Sequence, residues 1–445
     1  MTAADAGELA AGDVVELDVG AVAHGGFCVA RHGGRVVFVR HALPGERVRA
    51  EVTEARAGQR FVRADCVEVL SASPHRVEEP CPYAKPGLCG GCDFQHADLA
   101  YQRELKTMVV REQFERLAGR TVGVQVEPVP GDTHGLGWRT RVEFAVDAAG
   151  RAGLHRHRSH AVVPVDTCLI ADPRIVETGV LGHDWTGEAA VDVVAPSAGQ
   201  AVVVPVPSGE EQAPAVVEAV TGHRFSGRFE VGARGFWQVH PGAAGTFVDT
   251  VLEMLEPRLG ETALDLYAGV GLFAAALGAA VGPQGRVVAV ESDTAAVQAA
   301  QLNLAAYPAV LVRARVDDAF GVARPRRSGP APRRVSRPRK TRRHPLLPLQ
   351  ADLVVLDPPR TGAGRLVLRQ VAELRPRAVV YVACDPAALA RDTAFLAESG
   401  YELVALRAFD AFPMTHHVEC VAHFEPRPET ALSPRPALDE DRTEG

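Results

Sequence analysis

An aspartate, a cysteine and a glutamate each stand where an apolar run ends or begins in the last third of this 445-residue chain. ADLVVLDPPR delivers Asp357 to a double-proline turn, RAVVYVACDP carries Cys384 at the end of its run, and MTHHVEC sets Glu419 at the head of another. A free cysteine in such a place is ordinarily core filler. At the mouth of a site it is a nucleophile, and covalent catalysis splits one hard step into easier ones. An electron-poor ring carbon accepts such a thiolate, and the neighbouring carbon then becomes nucleophilic. A base must afterwards remove a proton before the thiolate leaves. Glu419 is the candidate base; its bland reading is a surface ion pair. The two prolines after Asp357 force an extended backbone with few donors. Such a rigid turn aims the carboxylate into the crevice where open α/β sheets bind ligands.

LDLYAGVGLF supplies the second half of the chemistry. A strand runs into Asp265, then Tyr267 and Gly269-x-Gly271, then a helix. This is the glycine-rich turn at which backbone approaches a ligand closely. Glu291 ends the next apolar run, twenty residues after Gly271, where a carboxylate suits the two hydroxyls of a ribose. Asp318 follows the third run, where an adenine amino group is commonly met. The spacing itself does not choose between NAD and S-adenosylmethionine (SAM). Gly271 is followed by LFAAA, with no further GxxG/A element, which favours SAM.

These residues need a sheet to hold them. From about residue 245, Val- and Leu-rich runs alternate with helical segments. That pattern predicts a parallel sheet covered on both faces, with ELVALRAFDAF and VECVAHFEP as closing strands pairing antiparallel at its edge. Residues 12–70 alternate short Val-rich runs with Gly turns at the spacing of a small barrel. A Cys-rich loop follows, then a helix opening at Asp98, then a second β-rich stretch. The expected class is multidomain α+β. An OB-like β-barrel spans 10–70, and a central β-rich domain with the cysteine loop and a helix over 98–118 spans 71–240. A Rossmann-like α/β domain spans 241–426, and a polar tail 427–445.

The net charge of −7 does not advertise a nucleic-acid binder, but its distribution is uneven. Residues 323–344 hold ten Arg or Lys and no acid, so the rest of the chain carries −17. This segment, within an expected insertion over 321–348, cannot bury a core and is expected to be disordered. It is either an arm that finds phosphate by counterion release or a surface insertion without a role. No run of about 18 apolar residues exists to span a membrane. The start, MTAADAGELAAGD, lacks the basic and apolar stretches of a secretion signal. A cytoplasmic monomer is expected.

FWQVHP, LDLYAGVGLF, VVLDPPRTG, YVACDP and HHVECV, in that order, resemble the RNA (uracil-5-)-methyltransferases. GGFCVAR, VVFVRHALPGERV and RFVRADCVEVL resemble the TRAM domain, an OB-like RNA-binding barrel. The resemblance runs from the barrel to about residue 425. It implies methylation of carbon 5 of a uridine in structured RNA, with SAM held by Gln238, Tyr267, Glu291 and Asp357. It also implies a nucleophilic Cys384 and a proton-abstracting Glu419. Barrel and cysteine loop together point to 23S ribosomal RNA ahead of transfer RNA. The family commonly has Asn in place of Asp385 and a polar residue near Leu272. A cytosine-5 RNA methyltransferase is the rival chemistry, but it calls for a cysteine on the fourth strand, where DPPR has none. The rival of another class is a non-catalytic RNA-binding protein with a vestigial domain. The joint presence of Gln238, Asp357, Cys384 and Glu419 disfavours it.

Eight cysteines are too sparse for a disulfide scaffold. Cys81, Cys89 and Cys92 crowd together, and Cys168 lies in VDTCLI. Four thiolates suit zinc or an iron–sulfur cluster; the resemblance implies a [4Fe–4S] ligand set. Cys28, Cys66 and Cys420 match no ligand pattern and read as structural. His155, His157 and His160 alternate with Arg156 and Arg158, and read as a solvated or RNA-facing hairpin.

Overall fold

The computed structural model describes residues 9–56, 58–131, 134–206, 213–322 and 342–428. Residues 323–341 of the basic stretch and 429–445 of the tail lie outside the described residues.

The N-terminal sheet runs in the order Val14–Asp18, Arg47–Glu54, Phe61–Ser71, Arg35–Arg40, Phe27–His32, Val22–Ala23. Its ends are joined through the segment after the first strand. The Gly20 N–H donates to the Val29 carbonyl at 2.8 Å, and the Val29 N–H to the Ala21 carbonyl at 2.9 Å. A Cβ on Gly20 would lie 2.7 Å from that carbonyl oxygen, so closure of the barrel requires glycine. Side chains alternate along each strand, and Val37, Val39, Val48, Val52 and Val62 fill the interior.

The middle of the chain forms an antiparallel sheet in the order Val162–Pro164, Ala152–His155, Arg141–Val146, Ala190–Val194, Val202–Val206. A separate hairpin pairs Ala215–Thr221 with Ser226–Gly232.

The third sheet has eight strands. Its order is Ala309–Arg313, Arg286–Glu291, Thr262–Leu266, Leu353–Leu356, Ala378–Ala383, Glu419–Pro426, Tyr401–Asp410, Val126–Pro128. The first five are parallel. Leu353–Leu356 and Ala378–Ala383 are buried at every position, which is why they read as unbroken apolar runs. Strand order reverses direction at Thr262–Leu266, and the crevice outside the strand ends there is the general ligand position of such sheets.

Two expectations need correction. The closing strands do pair antiparallel with each other and with Ala378–Ala383, but they are not the edge. Val126–Pro128, from the stretch placed in the central domain, pairs parallel with Tyr401–Asp410, so the sheet reaches across the 240/241 boundary. The described end of the basic insertion is also not loose. Leu347 is buried, and the His344 N–H donates to the Ala319 carbonyl at 2.8 Å.

The helix Leu99–Gln113 is capped by Asp98, which accepts the Tyr101 N–H at 2.9 Å. One π-helical stretch, Phe114–Ala118, ends it at Gly119, whose φ of 61° suits glycine. Lys106 on this helix is fully buried. Its Nζ donates to Asp410 Oδ1 at 2.5 Å and to the Phe412 carbonyl at 3.0 Å. Removing one partner of such a pair costs about 3–5 kcal/mol, because the other charge is left buried alone. Among the described residues, no helix is long and apolar enough to cross a membrane.

Candidate active site

Ala383 pairs with Cys420 in an antiparallel register. Cys384 directly follows Ala383 and Glu419 directly precedes Cys420, so both lie at the same end of adjacent strands, near enough for the Glu419 carboxyl to act on the thiol. Asp357 follows the neighbouring strand, its N–H donating to the Leu266 carbonyl at 3.2 Å. The three groups share one field. Burial, then the Glu419 and Asp357 carboxylates, push the Cys384 thiol up to about 11, against the opposing Arg360. Burial and Asp357 push Glu419 well above the usual carboxylate range, again against Arg360. Burial lifts Asp357 to about 7.

Of the residues expected to hold the cofactor, Tyr267 and Gly269 follow Thr262–Leu266, and Glu291 ends Arg286–Glu291. Tyr267 holds a left-handed φ of 67°, followed by Gly269 at 54° and Gly271 at 93°. A Cβ on Gly269 would meet nothing within 4 Å, so its open side faces free space. The Glu291 carboxylate gathers the N–H groups of Gly269 at 2.9 Å and Asp293 at 2.7 Å, drawing two strand ends together. Gln238 is buried in the loop before the helix Ala243–Leu255. Asp318 lies on the four-residue helix Val316–Ala319 and is exposed. Its neighbour Asp317 is half-buried and raises the Tyr267 hydroxyl after burial does.

Sequence reasoning passed over Asp265 as a mere strand end. It is fully buried, and neither carboxyl oxygen has a hydrogen-bond partner. Burial pushes it up to about 8, with a loose approach of the Ala274 N–H opposing and Asp357 and Glu291 adding. An orphaned carboxyl beside two others fits a ligand that brings positive charge, and SAM carries an ammonium and a sulfonium. Asn303 was also missed. It donates to the Val270 carbonyl at 2.9 Å and to the Glu230 carbonyl at 3.0 Å, tying the glycine turn to the hairpin beside it. Phe236, next to Trp237 and Gln238, stands 73% exposed.

The turns are braced from behind. Asp392 is buried on the helix Pro386–Glu398 and accepts from the Tyr381 hydroxyl at 2.7 Å, the Ala363 N–H at 2.8 Å and the Gly364 N–H at 3.1 Å. That fixes the segment after Asp357-Pro358-Pro359. The loop before Glu419 is held by Gln102, which accepts the Met414 N–H at 2.8 Å, and by Asp93, which takes the His416 N–H at 3.1 Å and lies 2.6 Å from its Nδ1.

Asp93 directly follows Cys92, so the cysteine loop touches the loop before Glu419. Cys81, Cys89, Cys92 and Cys168 line one cavity. Burial raises the Cys89 thiol to about 11, with Cys168 and Cys81 contributing. Cys168 sits in the loop beyond Val162–Pro164 and not on a strand. Among the described residues, no three His, Cys, Asp or Glu side chains gather closely enough to hold a single metal ion.

A family model described as tRNA (Uracil-5-)-methyltransferase matches residues 190–426, and one for the TRAM domain matches residues 9–67. This chain belongs to the tRNA (uracil-5-)-methyltransferase family. It is a SAM-dependent RNA methyltransferase with an N-terminal TRAM domain. An uncharacterized RNA methyltransferase of Streptomyces avermitilis is 47% identical, covering 93% of this chain and 99% of its own. One of Bifidobacterium longum is 38% identical, covering 92% and 96%. The crystal structure of Pyrococcus abyssi tRNA (uracil-54, C5)-methyltransferase with S-adenosyl-L-homocysteine shares the fold. Its TM-score is 0.62 at 20% identity, over 92% of this chain and 99% of that one.

Proposed function

We propose that this enzyme methylates carbon 5 of a uridine in structured RNA through a covalent adduct on Cys384. The observation that supports the reading is the Ala383–Cys420 pairing, which brings Cys384 and Glu419 to the same end of adjacent strands. When bound, SAM supplies the electrophilic methyl group. Gln238, Tyr267, Gly269, Gly271, Glu291, Asp318 and Asp357 hold it along the sheet edge. The Cys384 thiol gives up its proton to solvent, and the thiolate adds to carbon 6 of the uracil, leaving an enolate whose carbon 5 is nucleophilic. After methylation Glu419 takes the carbon 5 proton, and elimination returns the thiolate. Cationic ligand charge beside Asp265 and Asp357 favours their ionised forms. SAM affinity should therefore rise with pH through the range set by carboxyls at about 7 and about 8, then level off. Isothermal titration at several pH values, in buffers of different ionisation enthalpy, should detect proton release on binding; a flat profile would remove the charge argument.

The RNA we assign is 23S ribosomal RNA. A tRNA is the second reading, because the archaeal enzyme named for tRNA uracil-54 matches 92% of this chain. The presence of a barrel therefore does not separate the two. Mass spectrometry of both RNAs from a deletion strain decides: 5-methyluridine should vanish from 23S rRNA and persist in tRNA. Loss from neither would sink the activity.

We assign Cys81, Cys89, Cys92 and Cys168 to a [4Fe–4S] cluster. Four cysteine thiols lining one cavity supply the donor set of such a cluster. Anaerobically purified protein should carry about four irons per chain. Cys89→Ser should lose them, and should lower melting temperature and RNA affinity more than SAM affinity. Stoichiometric zinc without iron after anaerobic reconstitution would replace the cluster with a zinc knuckle.

A further inference from the structure

The outer face of the barrel carries an aromatic cluster that methyl transfer does not use. Phe27, Phe38 and Phe61 lie on three neighbouring strands, on the side opposite the buried valines. Their rings meet edge to face at 6.1 Å between Phe27 and Phe38 and 5.3 Å between Phe38 and Phe61. The Arg63 guanidinium lies 5.8 Å from the Phe27 ring and 5.0 Å from Phe61. All four side chains are half-buried. The barrel interior is already filled by valine and alanine, so the rings are not needed for its core.

The surroundings carry both charges. His157 meets Phe27 at 5.7 Å, between the exposed Arg156 and Arg158. Asp65 shares the outward face of the strand with Arg63, and Glu54 is bonded to Arg63 at 2.9 Å and lies 3.8 Å from Arg158. The cluster also leads to the catalytic turn. Phe27 begins the strand that follows the turn over residues 24–26. In that turn His24 Nε2 lies 3.2 Å from Asp385 Oδ2, one residue from Cys384. A Cβ on Gly26 would lie 2.9 Å from the His416 Cβ. Half-exposed rings beside guanidinium groups match the unpaired bases and phosphates of a single strand, whereas a duplex offers no free base face.

We propose that Phe27, Phe38 and Phe61, with Arg63, form a platform on which unpaired nucleotides flanking the target uridine stack, in line with the turn that reaches Cys384. This rests on the RNA reading above. Full-length Phe38→Trp protein is titrated with a single-stranded RNA of about 12 nucleotides, with the same RNA as a duplex, and with heparin. The single strand should quench the tryptophan; duplex and heparin should not. Phe38→Ala and Phe61→Ala should each bind the single strand roughly ten-fold more weakly, with melting temperature and SAM affinity unchanged. Equal quenching by heparin, or unchanged affinity in both alanine variants, would overturn the platform. Wild-type protein is tested in parallel for a covalent adduct with 5-fluorouridine RNA. No adduct, with quenching intact, would sink the covalent mechanism and leave the platform standing.

Discussion

Cys384→Ala should lose methyl transfer by on the order of 10⁴-fold or more, while SAM binds as before. The thiol lies at the strand end it shares with Glu419, whereas most of the residues assigned to the cofactor lie on neighbouring turns. Single-turnover transfer from labelled SAM measures the first quantity, and equilibrium dialysis the second. Near-normal turnover would refute the nucleophile. The chemistry also predicts a pH signature in the RNA-free enzyme. A thiol lifted to about 11 by burial and two carboxylates is protonated at neutral pH. Its alkylation by iodoacetamide, followed on the Cys384 peptide, should climb about ten-fold per pH unit up to that value.

Glu419→Gln should trap the reaction after methylation. A glutamine cannot accept the carbon 5 proton, so the sulfur–carbon bond cannot be eliminated. The expected result is a denaturation-resistant complex with ordinary RNA, seen as a shifted band on a denaturing gel, and product release slower by roughly 10²–10⁴-fold. Loss of activity with no adduct under single-turnover conditions would make Glu419 a positioning residue instead. Glutamine keeps the size of a side chain that is 3% exposed, so folding should survive.

The strands were legible because burial on both faces writes an unbroken apolar run, as in Leu353–Leu356. The turns were legible because Gly269-x-Gly271 and Asp357-Pro358-Pro359 each restrict the backbone in their own way. Cys384 and Glu419 could be named separately, but not their shared strand end, which depends on the Ala383–Cys420 register. Val126–Pro128 fell within the stretch read as β-rich, but its place in the large sheet was not legible because its partner lies beyond residue 400. Asp265 looked like any strand-ending acid. Only its solvent-free surroundings, with both oxygens unpartnered, distinguish it. Asn303 and Asp93 act through contacts that no local spacing records.

The contacts that brace the Glu419 turn also set a timetable for synthesis. Lys106 and Asp410 are separated by 304 positions, Gln102 and Met414 by 312, Asp93 and His416 by 323. At about 5–20 residues per second, a ribosome needs about 15–60 s to cover such a gap. Throughout that interval the helix Leu99–Gln113 carries a lysine without its carboxylate, and Val126–Pro128 has no strand to join. Cys384 and the glycine turn emerge earlier, on strands that can already pair with one another. The closing hairpin follows, and brings Glu419 and the anchor for the N-terminal half together. A nascent chain of this enzyme therefore stays only partly packed until that hairpin is made, and its early helix is the surface that a ribosome-bound chaperone would have to shield.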